Sequence, residues 1–120
     1  MGVRKNGEAM GNLFSEFEPC YWSEQSGTRP AIVVSANGVN HLNQVTVLPI
    51  TSIKNPNTFI YPNEVFLDKK LSKLSKDSIV LAHQVRSIDK QRLVNYVGMI
   101  ADKTLISNIQ EAIKFQLDLQ

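Results

Sequence analysis

Apolar and polar positions along the chain fall into short runs separated by turn formers, a pattern that predicts strands more than long helices. Asn12 to Phe17 is the first run, and Pro19 stops it. Ala31 to Ser35 is apolar, with Pro30 on one side and the turn signal Asn37-Gly38 on the other. Gln44 to Ile50 alternates and is rich in Val and Thr. Thr58 to Leu67 contains Pro62, which predicts a bent or edge strand because proline has no N–H to give to a ladder. Ser78 to Arg86 is the clearest strand: Ile79, Leu81 and Val85 share one face with His83, and Val80, Ala82, Gln84 and Arg86 share the other. Val94 to Ile100 is the last run. The period then becomes helical. Asp102 fits an N-cap, and Leu105, Ile109, Ala112, Ile113 and Gln116 follow on one face, widened by Ile106, Leu117 and Leu119. A helix face of that kind packs on the domain's own core, so no chemistry is assigned to it. Several short strands and one helix predict a mainly β (α+β) fold, a small antiparallel barrel or sharply curled sheet that the helix partly covers.

Composition changes this picture little. The 120 residues are 42% apolar and 20% charged, which fits one globular domain and excludes a mainly disordered chain. The longest apolar runs, such as Ala31 to Val34, are of strand length, so no bilayer span is expected. No apolar segment follows Met1 to Asn6, so no secretory leader is expected there, and Met10 fits an alternative start. Residues 1–10 are expected to be a flexible extension and residues 11–120 a single domain. The single cysteine, Cys20, points to a reducing, cytoplasmic setting. Cys20, His41 and His83 lack metal-ligand spacing, and the glycines make no phosphate-cradling array. The net charge of +2 names no partner by itself. All of it lies beyond residue 60, where Lys69, Lys70, Lys73 and Lys76 fall together, a group expected to be a solvated surface.

Three segments carry candidate chemistry. Trp22 to Pro30 is polar and leads into the apolar Ala31 run; Pro30 forces Arg29 into an extended backbone. Arg29 there is placed either to hold a phosphate bidentately or to pair with Glu24 as a structural tie. Thr51 and Ser52 put two hydroxyls at the end of the Gln44 run, as phosphate donors or as turn formers. In the Ser78 run, His83 reads as a core histidine, and parity leaves open whether His83 or Gln84 meets a ligand.

Taken in order, these segments resemble the MazF/PemK (Kid) family of toxin–antitoxin endoribonucleases. The matching stretches are Glu16 to Pro19, Ser23 to Ser35, Pro49 to Ser52 and Lys76 to Leu93. The resemblance implies an SH3-like antiparallel β-barrel with a C-terminal helix, acting as a homodimer in the cytoplasm. It implies a cognate antitoxin partner, DNA contact only through the antitoxin complex, and no membrane partner. It also implies sequence-specific, cofactor- and metal-independent cleavage of single-stranded RNA, by 2′-OH attack, to 2′,3′-cyclic phosphate and 5′-OH ends. On this resemblance Arg29 matches the family's essential arginine and Thr51 its phosphate-binding threonine. Glu24 and His83 complete the candidate catalytic set, and Ser23, Gln25, Ser52, Gln84 and Arg86 are candidate RNA contacts. The sequence departs from the family at Trp22, where glycine is usual. The positions of the Kid-type acid/base set are Leu81, His83 and Ser23 here, so that set is not intact; His83 fits the role of replacement base. Two other readings of the fold remain: a non-enzymatic gyrase poison of CcdB type, which would need a Trp-Gly-Ile tail where this chain has Asp118-Leu119-Gln120, and an inert antitoxin-binding module.

Overall fold

A computed structural model describes residues 17–24, 29–35, 43–55, 57–72 and 74–119. Among the described residues, seven strands and two helices follow in the order β1 (Cys20–Glu24), β2 (Pro30–Val33), β3 (Gln44–Ser52), β4 (Glu64–Leu67), α1 (Lys69–Ser72), β5 (Ser78–Leu81), β6 (Arg86–Asp89), β7 (Leu93–Met99) and α2 (Lys103–Leu117). The strands form one antiparallel sheet in the order β4-β5-β3-β2-β1-β7, with β6 also paired to β3. The expected curled antiparallel architecture with a C-terminal helix is borne out. Among the described strands the sheet stays open between β4 and β7.

Both faces of the central strands are buried. Ile32, Leu48 and Ile50 join Tyr21, Val65, Leu67 and Val80 in a core that α2 closes with Leu105, Ile109 and Ala112. Ala31, Val33, Val45 and Val47 point the other way and pack with Ile88 under Trp22 and Leu93. That double burial is why Ala31 to Val34 reads as a continuous apolar run and not as an alternating one. Each fully buried aliphatic side chain contributes about 1.5–3 kcal/mol, and truncating one such as Leu48 to alanine costs about 2–5 kcal/mol.

The helix follows its sequence pattern. Asp102 accepts a hydrogen bond from the Thr104 N–H at 3.4 Å and opens the first turn. Asp118, in the left-handed conformation, ends the last turn, and the Leu119 N–H donates to the Lys114 carbonyl at 2.8 Å. Leu105, Ile109 and Ala112 are buried, whereas Leu117 and Leu119 are exposed and do not widen the packed face.

Other boundaries differ from the expectation. Residues 12–16 of the first run lie outside the described residues; Phe17 is not in a strand and packs on the core. The strand that pairs begins just after Pro19 and runs into the stretch from Trp22 that was read as polar. Only the last four residues of the Thr58 run form a strand, because the Glu64 N–H donates to the Tyr61 carbonyl at 2.9 Å and closes a turn that contains Pro62. Ser78 to Arg86 is not one strand. β5 pairs with the end of β3 (Ile50↔Val80) and β6 with its start (Val45↔Ile88), and a 3-10 turn, Ala82–Gln84, carries the chain between them. One edge of β3 thus serves two strands placed end to end, which requires a break in the middle.

Candidate functional site

The first candidate centre lies where β2 and β3 end together. Their ladder pairs Ala31 with Pro49 and Val33 with Val47. Carried two residues outward, the same register sets Arg29 opposite Thr51, on the face of the sheet that holds Ala31 and Val47. Both residues are exposed. They line a cleft of about 620 Å³ together with Ser52, Lys54 and Lys76. Its described walls carry three cations, hydroxyl donors and no carboxylate. A guanidinium, two lysines and two hydroxyls lining one cleft without a carboxylate are chemically suited to an anion such as a phosphate group. Lys76, expected to be only a solvated lysine, belongs to this wall. A second cavity, about 570 Å³ between β4 and α2, is rimmed by Glu64, Asp68, Asp102 and Glu111 and is unsuited to a polyanion.

The second centre adjoins the first. Glu24 ends β1, is only 6% exposed, and its N–H donates to the Arg29 carbonyl at 3.3 Å. Its side chain does not pair with Arg29, the structural tie considered from sequence. Both carboxylate oxygens accept from Arg86 Nη2 at 2.6 Å, and Arg92 Nη2 stands 3.9 Å away. Arg86 opens β6, held by its pairing with Val47. Arg92 closes the 3-10 turn Lys90–Arg92, which Asp89 caps by accepting from the Gln91 N–H at 2.8 Å. Arg86 and Arg92 keep 42% and 45% of their side chains exposed, so each guanidinium is anchored on one side and open on the other.

The remaining candidates are spread around these two centres. Ser23 is half-buried in β1 and pairs with Pro30 and Asn95. Gln25 lies outside the described residues. His83 and Gln84 stand exposed on the turn between β5 and β6, with His83 Nε2 3.4 Å from Gln84 Nε2. His83 is therefore not the core histidine that strand parity predicted, because the turn ends the alternation after Leu81. Neither residue lines the Arg29 cleft. Arg92 was missed by sequence reasoning: it lies inside a matched stretch, but nothing in its local spacing marks a partner on β1. Burial raises the Cys20 thiol pKa and a hydrogen bond with Tyr96 partly offsets this, so Cys20 is no activated nucleophile.

Comparison with known proteins fits this geometry. A family model described as PemK-like, MazF-like toxin of type II toxin–antitoxin system matches residues 13–117. The endoribonuclease MazF of Staphylococcus epidermidis is 30% identical over 105 residues, covering 88% of this chain and 86% of that protein. The endoribonuclease EndoA of Bacillus subtilis (strain 168) is 28% identical over 106 residues, covering 88% and 90%. Among solved structures, the Mycobacterium tuberculosis toxin MazF-mt6 superposes with a TM-score of 0.70 at 25% identity, covering 85% of this chain and 98% of that one.

Proposed function

Because the chain belongs to the PemK-like, MazF-like toxin family of type II toxin–antitoxin systems, we propose that it is a sequence-specific endoribonuclease cleaving single-stranded RNA. The observation that carries this reading is the cationic cleft that Arg29, Thr51, Lys54 and Lys76 line at the ends of β2 and β3. In the proposed reaction the ribose 2′-oxygen bonds to the adjacent phosphorus and the bond from phosphorus to the 5′ oxygen breaks. The 2′-OH proton leaves to a base, and the 5′ oxygen takes up a proton. The products are a 2′,3′-cyclic phosphate and a 5′-OH end.

Arg29 stabilises the negative charge that grows on the non-bridging oxygens, and the Thr51 hydroxyl donates to one of them, with Ser52 beside it. Glu24 acts through Arg86 and Arg92, holding two guanidiniums toward the RNA, and so is a positioning residue. His83, the single imidazole among the described residues, is assigned as proton acceptor, reaching substrate from the turn next to Arg86. Ser23, Gln25 and Gln84 complete the RNA contacts. A second copy of the chain extends the open cleft into a groove, and an acidic segment of a cognate antitoxin neutralises the toxin by occupying it.

The test is incubation of the purified protein with mixed-sequence RNA in EDTA, with end-mapping of the fragments. Cyclic phosphate and 5′-OH ends are expected, with kcat lowered about 10²–10³-fold in Arg29→Ala and in Thr51→Ala. Intact RNA with the unaltered protein, or equal cleavage by both variants, overturns the reading.

A further inference from the structure

The ladder between β1 and β7 carries two irregularities. Its partners run Tyr21↔Gly98, Trp22↔Tyr96, Ser23↔Asn95 and Glu24↔Leu93, so Val97 and Val94 are extra residues on β7. Each bulge resets the alternation, and Trp22, Glu24, Tyr96 and Leu93 consequently share one face of the sheet. On that face Trp22 and Tyr96 meet edge to face, with centroids 5.3 Å apart and planes at 66°. Trp22 is half-buried and packs on Ala31, Val33 and their neighbours, whereas Tyr96 stays 53% exposed. The result is an aromatic corner with one wall packed on the core and the other in solvent.

The corner stands beside the charged centre. Trp22 lies two residues from Glu24 along β1, about 6–7 Å, and Glu24 is bonded through its backbone to Arg29. Arg29, the Arg86 and Arg92 guanidiniums and the aromatic pair therefore follow one another across a single face. A role in packing alone accounts for Trp22, which covers the second core cluster. It does not account for an exposed tyrosine ring set against that tryptophan beside two open guanidiniums.

We propose that Trp22 and Tyr96 form a base-stacking subsite for an unpaired nucleobase flanking the scissile phosphate, whose backbone the neighbouring arginines hold. This rests on the endoribonuclease reading above and deepens it. Every base has a π-face, so the corner contributes affinity and orientation for any splayed base, and its fixed width favours some bases over others.

Trp22 is the only tryptophan of the chain, and its emission reports directly on the corner. The full-length Arg29→Ala protein, in which cleavage is expected to be about 10²–10³-fold slower, is titrated with fluorescently labelled mixed-sequence single-stranded RNA, following RNA anisotropy and Trp22 emission together. Quenching in step with binding is expected, with none for double-stranded RNA. In the cleaving protein, Tyr96→Leu is expected to raise KM about tenfold or more with kcat changed less than about threefold, and Tyr96→Phe to restore KM. RNA binding that leaves Trp22 emission unchanged overturns the subsite. So does an unaltered KM in Tyr96→Leu, with or without a change in oligomeric state, since the corner is then only a packing contact. In both of those outcomes RNA is still bound or cut, and the endoribonuclease reading stands. A protein that neither binds nor cleaves RNA overturns both.

Discussion

Glu24 takes its meaning from partners remote in sequence. Its neighbours along the chain, Ser23, Gln25 and Arg29, make it look like a catalytic carboxylate or a tie to Arg29. In the fold its partner is Arg86, 62 residues away, with Arg92 behind it. No spacing rule reveals a pair of that separation, whereas Arg29 and Thr51 can be singled out in the sequence because each flanks an apolar run. If Glu24 acts only by positioning, Glu24→Gln keeps kcat within about tenfold while raising KM and lowering stability by about 1–3 kcal/mol. A loss of kcat as large as that of Arg29→Ala would instead make it a proton-transfer group. Tyr21 offers a prediction in pH. Its hydroxyl is buried without a hydrogen-bond partner among the described residues, and burial pushes its pKa from 10 up to about 12. The raised value means that folding favours the neutral phenol. Its contribution is intact below pH 10 and is lost as pH rises toward 12. Tyr21→Phe is expected to match or exceed the unaltered protein at neutral pH and to lose less stability between pH 10 and 12. Urea melts across that range check it, and parallel pH curves for the two proteins count against it.

At the scale of elements, legibility divides along local and non-local causes. The start of α2 and its buried face were readable because the Asp102 cap and the spacing of Leu105, Ile109 and Ala112 lie within it, whereas its end at Asp118 was not. The strand β1 was not, since Cys20 to Glu24 alternates weakly and becomes a strand through ladders with β2 and β7. The break after Leu81 was hidden for the same reason: Ser78 to Arg86 satisfies strand periodicity throughout, and only the sharing of β3 by β5 and β6 forces the turn that exposes His83. A strictly local device has a correspondingly local effect. Asp102→Ala removes the N-cap bond and should destabilise the protein by about 0.5–2 kcal/mol, toward the lower end because the bond is 3.4 Å long. Urea unfolding should show a lower midpoint with an unchanged slope, and RNA cleavage at neutral pH should not change.

The whole molecule carries a net charge of only +2, yet that charge is sorted by face. Arg29, Lys54 and Lys76 line the cleft at the ends of β2 and β3, whereas Glu64, Asp68, Asp102 and Glu111 rim the cavity against α2. RNA affinity should therefore depend on a few local cations and not on overall charge. Each phosphate neutralised on a single strand adds about −0.7 to the slope of log K against log salt, so the three cleft cations contribute about −2, beside what Arg86 and Arg92 add. Lys54→Gln, on the cleft wall, should make that slope shallower by about 0.7. Lys103→Gln, exposed at the start of α2, removes the same charge from the molecule and should leave the slope unchanged. Anisotropy titrations of labelled single-stranded RNA at several salt concentrations, in the Thr51→Ala background so that cleavage is slowed about 10²–10³-fold, separate the two. Equal shifts from both lysines would mean that the chain attracts RNA by its total charge, and would remove the cleft as the place where the backbone is held.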